Sequence, residues 1–414
     1  MPILLRYIIA SWILIWVLPW IKYPSSGVPY GQSGFLISFG AVAVFVLTVK
    51  IFSKETPSLK IPLCGYSLVF MFGVFSMLSV YFQYKAYSDL AGLELNEARK
   101  LYMNQEAIVD TFYSRLALIM SPVVPFFLIE AIKQIKVRWI FTMVVIFLIG
   151  TGILFAVSIG GRFDLLCMLW LCVVGVGAFQ DGIIRKYRRL IFIFTPIFII
   201  LFFIVNVVFS VKRSQIESVS YTESGALFDA QELISGYTSK LLPEVLLIAI
   251  SRLDDYILLN IKRLDFYLTV NQVPPAWGQH SFYIFSTKIG FDGGNEVKQT
   301  VDSYYASFYG NITNVWATGL RDIIMDFGIL GLFLLSFSSG FFYCVCLKFT
   351  SKSIFAGHMA VAIVVFMTLS CVVSYFKSIF FQTYFVFIFF LFFADIINGY
   401  KITLLLGRHR HKDA

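Results

Sequence analysis

Asn311-Ile-Thr-Asn-Val-Trp-Ala-Thr-Gly-Leu-Arg-Asp-Ile-Ile-Met-Asp-Phe-Gly-Ile-Leu-Gly331 runs directly into the apolar stretch Leu332 to Leu347. A polar, aromatic segment here delivers Arg321, Asp322 and Asp326 to the lip of a run long enough to cross a bilayer. Ionisable groups at that depth cost free energy, so they are kept for function or as snorkelling anchors. Gly328 and Gly331 beside them are expected to let another backbone approach closely.

Working outward, composition sets the class. The chain of 414 residues is 58% hydrophobic and 14% charged, with 45 Phe, whereas a soluble domain carries about a quarter charged residues. The expected fold is all-α: a polytopic membrane helix bundle. Apolar runs of about 20 residues can span the hydrocarbon, and lipid forces them to be helical because it offers the backbone no hydrogen-bond partners. Ten such runs are predicted, at about 3–20, 33–52, 62–82, 112–131, 139–158, 163–179, 190–210, 325–347, 354–375 and 379–398. The fourth is the weakest, since Arg115, Pro122, Pro125 and Glu130 interrupt it.

Lys and Arg in the short connections set the orientation. With the N-terminus inside, sixteen fall in the inner segments and six in the short outer loops. Both termini are therefore expected in the cytoplasm. This asymmetry accounts for the net charge of +9 without nucleic-acid binding. The implied organisation is spans 1–7 within 1–211, a large outer loop at 212–323, spans 8–10 within 324–400 and a basic tail at 401–414. All six cysteines fall in predicted spans, with no disulfide framework or metal spacing.

The outer loop is too long to lack structure and a task. It holds nine Lys/Arg against twelve Asp/Glu. Leu242, Val245, Ala249, Leu253, Ile257 and Ile261 share one helical face, which predicts an amphipathic helix carrying Arg252. Residues 271–312 mix Gly, Asn and Ser with Trp277, Phe282, Tyr283, Tyr304 and Tyr305. That composition suits a carbohydrate platform and equally an interfacial aromatic belt.

Several residues are equipped for chemistry. Arg162 follows two glycines in a tight outer connection, where a guanidinium can fork onto phosphate oxygens or simply snorkel. Lys212 and Arg213, at the outer end of span 7, either anchor the helix or face a phosphate headgroup. Arg321 either binds phosphate or pairs with a neighbouring Asp to fix the loop, and Arg115 is a weaker candidate. His280 is the only outer histidine and can act as a general base or as a structural hydrogen-bonding group. His358 reads as a packing residue within a span. No P-loop, dinucleotide fingerprint, zinc motif or Gly-x-Ser-x-Gly is present. The first outer loop, Ile21 to Gln32, has no carboxylate for a divalent metal, so metal-independent chemistry is expected, with no cofactor.

The chain resembles the O-antigen polymerase (Wzy-type) family of bacterial envelope proteins. The likeness is carried by topology, by Gly278-Gln-His-Ser-Phe282, by Asn314-Val-Trp-Ala-Thr318 with Arg321, Asp326-Phe-Gly328 and Gly331, and weakly by Gly161-Arg162. Where relatives often have Tyr after Asn-Val, this chain has Trp316. The resemblance implies a multispanning glycosyltransferase-like enzyme of the bacterial inner membrane. It would join undecaprenyl-pyrophosphate-linked oligosaccharide repeat units on the periplasmic face, with a chain-length regulator as a candidate partner. On that reading Arg162, Lys212, Arg213, Arg252, Arg321 and Asn314 bind substrate or phosphate. Asp326, Asp322 and His280 are the base candidates. An O-antigen ligase of similar fold and a lipid-linked sugar transporter are the alternatives. The mostly Phe, Leu, Ile and Val mid-span positions argue against the transporter.

Overall fold

The computed structural model describes residues 32–53, 63–86, 112–134, 319–370, 379–402 and 407–408, together with 146, 150, 171, 174, 175, 264, 268, 277, 278 and 281. These residues are mostly helical. The order is α1 (Gln32–Phe52), β1 (Leu63–Cys64), α2 (Tyr66–Ala86), α3 (Phe112–Met120), α4 (Val123–Gln134), α5 (Gly319–Phe349), α6 (Ile354–Leu369), α7 (Ile379–Ile397) and β2 (Gly407–Arg408). Among the described residues two helices, Tyr66–Ala86 and Leu320–Phe349, are long and apolar enough to cross a membrane. Leu36–Phe52, Ile354–Thr368 and Phe381–Ile397 are shorter apolar helices. Spans 1 and 7, nearly all of spans 5 and 6, and nearly all of the 212–323 loop lie outside the described residues.

The central element is α6. Its residues from Ile354 to Thr368 are buried on every face, as expected of a helix that is apolar all round. Ser353 starts it: an extended residue whose Oγ accepts from the Ala356 N–H at 3.4 Å. The surrounding helices carry exposed apolar side chains, including Leu36, Leu330, Phe390 and Ile397. Apolar residues that face outward while the inside is also packed suit a lipid environment.

Small residues set the helix contacts. Gly340 of α5 lies against the Phe45 carbonyl and Thr48 of α1, and the Cys344 Sγ donates to the Val49 carbonyl at 3.8 Å. Gly40 meets Phe333 further along, so α1 and α5 run parallel. On α2, Val69, Gly73, Ser76 and Ser79 form one buried stripe. Gly73 lies against Phe127, the Ser76 Oγ reaches the Val123 carbonyl and the Ser79 Oγ reaches the Ala117 carbonyl. Hence α2 runs antiparallel to α3 and α4.

The predicted fourth span is broken into α3 and α4 at Ser121–Pro122. Proline lacks the N–H that would continue the ladder and disfavours helix at the residue before it. Pro125 is tolerated in the first turn of α4, where that N–H has no intrahelical partner anyway. Ser121 uses the break to hydrogen-bond Thr383 of α7 at 2.7 Å.

The bundle has two distinguishable ends. At one, β1 pairs antiparallel with β2, Leu63 opposite Arg408, and the Lys352 ammonium lies 5.7 Å from the Tyr400 ring centroid. At the other, the Leu320 N–H donates to the Ser370 carbonyl at 3.3 Å, tying the start of α5 to the end of α6. One sequence expectation is corrected here: Cys64 sits in β1 ahead of α2, not inside a spanning helix. Among the described residues Cys64, Cys344 and Cys346 are buried thiols outside any disulfide.

Candidate functional site at the start of α5

Gly328 divides α5. Its φ of 71° and ψ of −177° are non-helical, in a region that residues with a Cβ essentially do not enter. Among the described residues, its chain neighbours and its own helix backbone aside, no atom stands within 4 Å of where its Cβ would be. Glycine is needed there for conformation, which corrects the expectation of close approach by another backbone. A Cβ on Gly331 would collide with the Phe327 Cβ, so its bare surface accommodates the chain's own turn across the break. The first part of α5, residues 319–327, thereby becomes a separate short helix carrying the ionisable groups.

Three sequence candidates come together on that short helix: Arg321, Asp322 and Asp326 are all buried. Arg321 donates from Nε at 3.1 Å and from Nη2 at 2.7 Å to one oxygen, Asp322 Oδ1. Asp322 and Asp326 are four residues apart, hence neighbours on one helix face. Asp322 in the first turn also favours the positive end of the helix dipole.

Asp326 organises a second segment. Its Oδ2 accepts from the Ser281 N–H at 2.7 Å, and its backbone carbonyl accepts from the Trp277 N–H at 3.1 Å. The Gln382 side-chain amide of α7 donates to the Ser281 carbonyl at 3.3 Å. Ser281 is thus gripped through both of its backbone groups, one by α5 and one by α7. Trp277 and Gly278 are both left-handed, with φ of 50° and 93°. Among the described residues the Ser281 Oγ and Gln382 Oε1 are buried without a hydrogen-bond partner.

A separate polar group lies inside the bundle. His358 of α6 has Nε2 2.8 Å from Glu130 Oε1 of α4 and Nδ1 2.7 Å from the Tyr384 hydroxyl of α7. The Cys64 N–H donates to Glu130 Oε2 at 3.4 Å, and Phe126 stacks on the imidazole with centroids 4.4 Å apart. All three side chains are fully buried. A chain running Tyr O–H to His Nδ1 and His Nε2–H to a carboxylate is self-consistent, as is a protonated ring donating to both neighbours.

This group corrects one expectation: His358 is a polar junction and not simply a packing residue, set in an interior that is otherwise mostly apolar. Sequence reasoning missed it because Glu130 and His358 are 228 residues apart. The available signal was the presence of each in an apolar run. Gln382 and Ser281 carried no such signal.

Arg162, Lys212, Arg213, Arg252, His280 and Asn314 lie outside the described residues. Arg115 is exposed on α3. Among the described residues no three His, Cys, Asp or Glu side chains gather as a metal site would require. The chain matches no protein-family model, no curated protein and no solved structure.

Proposed function

We propose that this chain is a multispanning membrane glycosyltransferase that polymerises lipid-linked oligosaccharide repeat units at the extracytoplasmic face. The observation that carries the reading is the convergence, at one end of the bundle, of Arg321, Asp322 and Asp326 with the segment flanking His280. The directions of the described helices fit the alternation expected of ten spans. Gln134 and Gly319 lie at opposite ends of the bundle, as three intervening crossings require. β1, β2, Lys352 and Tyr400 share the end that charge asymmetry assigns to the cytoplasm.

The chemistry is an in-line displacement at a sugar carbon. A hydroxyl of the acceptor unit attacks the anomeric carbon of the donor chain, a new C–O bond forms, and the C–O bond to the diphosphate breaks. The hydroxyl proton passes to a base and the polyprenyl diphosphate leaves with the negative charge. Arginines held in place before the reaction stabilise that charge, each worth roughly 3–4 kcal/mol of barrier by analogy with a single oxyanion donor. Arg321, fixed by Asp322, is one such group, and Arg162, Arg213, Arg252 and Lys212 are the others proposed. One oxygen of Asp326 is committed to Ser281, so His280 is the preferred base, with Asp326 orienting its segment.

The Glu130–His358–Tyr384 group favours a second reading, a proton-coupled carrier for the lipid-linked saccharide. Surface polysaccharide from a deletion strain separates the readings. Polymerase loss leaves single repeat units attached to the lipid core. Loss of a carrier or a ligase leaves none. In the complemented strain, Arg321→Ala and Arg162→Ala should each abolish long chains while the protein still reaches the membrane, and full-length polymer from both would overturn the assignment.

A further inference from the structure

Trp277 combines features that folding alone does not favour. Its ring is 76% exposed, and its backbone sits at φ 50° beside Gly278 at φ 93°. A left-handed conformation is costly for a bulky side chain and persists only where the surroundings enforce it. Here they do: the Asp326 carbonyl holds the Trp277 N–H, the Asp326 carboxylate holds the Ser281 N–H, and Gln382 holds the Ser281 carbonyl. Three hydrogen bonds from two helices thus hold Trp277 and Ser281 in place, with the Trp277 side chain exposed. On the two residues joined by the Gln382 bond, two fully buried polar atoms, the Ser281 Oγ and Gln382 Oε1, are unpartnered among the described residues. A buried group left without a partner is expensive and is tolerated where a polar molecule is to be met.

We infer that Trp277, Gly278 and Ser281 mark a saccharide subsite, in which the Trp277 indole is the stacking face for a sugar ring and Asp326 and Gln382 are positioning residues. The inference rests on the polymerase reading and deepens it by naming where the acceptor sugar is held. An indole presents a broad, rigid apolar face with a single N–H donor, which matches the C–H face and hydroxyl edge of a pyranose. Gln382 acts on the sugar through the turn it grips.

The test uses the purified full chain in nanodiscs with lipid-linked repeat units extracted from the deletion strain. Loss of one well-buried aromatic contact corresponds to at least about a tenfold change in affinity. Trp277→Ala should therefore raise KM for these units about tenfold or more while kcat stays within about threefold, and Trp277→Phe should recover most of the loss. Trp277→Gly relieves the backbone strain, so it should melt no lower than the wild type yet show the same raised KM. Gln382→Ala should raise KM, and Gln382→Glu, which keeps the length but loses the N–H donor, should not rescue it. Wild-type KM in Trp277→Ala overturns the subsite. So does a Trp277→Ala protein that is merely depleted from membranes while each remaining molecule has normal KM, the mark of an interfacial anchor. A wild-type protein that extends no units overturns the polymerase reading and the subsite with it, whereas an active wild type with an indifferent Trp277 overturns the subsite alone.

Discussion

The imidazole of His358 meets the carboxylate of Glu130 at 2.8 Å across 228 residues of chain, both side chains fully buried. With Tyr384 on the other ring nitrogen, one polar junction ties α4, α6 and α7 together, and the Cys64 N–H adds the entry to α2. Apolar packing between helices tolerates sliding by a turn. A hydrogen-bonded junction with fixed donors and acceptors does not, so this group sets the register of the bundle.

That role predicts strong non-additivity. Removing one member leaves the other buried and uncompensated, so Glu130→Leu or His358→Leu alone should cost about 3–5 kcal/mol. The double variant should cost less than the sum by about 1–3 kcal/mol, the range expected of residues in direct contact. Thermal unfolding of the four proteins in detergent measures the cycle, and strictly additive losses would show that the two side chains do not cooperate.

Two glycines of α5 should respond differently from each other. Gly340→Val places a Cβ 3.0 Å from the Phe45 carbonyl and the Thr48 Cβ, backbone and buried side chain that have little room to move. It should destabilise by about 1–3 kcal/mol through overpacking. Gly328→Ala meets no atom within 4 Å among the described residues, its chain neighbours aside, but must adopt φ 71°, at a cost of about 1–3 kcal/mol unless the break straightens. Straightening would swing Arg321, Asp322 and Asp326, so activity should fall more than stability for Gly328→Ala and in step with it for Gly340→Val. Melting curves paired with chain-length profiles check this, and equal activity-to-stability ratios would remove the break from the mechanism.

Asp326 offers a sharp distinction between holding and catalysing. Asp326→Asn keeps an oxygen to accept the Ser281 N–H but is no longer a base. Asp326→Ala leaves that buried N–H unsatisfied, at about 1–3 kcal/mol. If the carboxylate orients the turn, the Asn variant keeps activity within about tenfold, whereas loss of a general base would cost about 10²–10⁴-fold. Turnover of both variants with membrane levels matched decides between the roles, and an inactive, well-folded Asp326→Asn would make Asp326 the base.

The sequence alone determined much of this protein. Its 58% hydrophobic composition and long apolar runs pointed to helix, as a lipid environment would require of the backbone, and the described residues are mostly helical. The segment from Arg321 to Gly331 also marked the corner where charge meets the bundle. Local spacing could report that Asp322 and Asp326 share a face, since helical geometry fixes it.

Only the tertiary structure decided what those residues touch. Gly328 looked like a packing glycine and proved to be a conformational one, because φ is not written in composition. Pro122 was visible as an interruption, yet whether it kinks or breaks a helix depends on Thr383 waiting across the gap. Glu130, His358 and Tyr384 stand in three apolar runs widely separated along the chain. Their pairing arises from how α4, α6 and α7 pack, and long-range packing leaves no periodic trace along a chain. The grip of Asp326 and Gln382 on Ser281 is of the same kind: both bonds go to backbone groups, which every sequence has and which no sequence distinguishes.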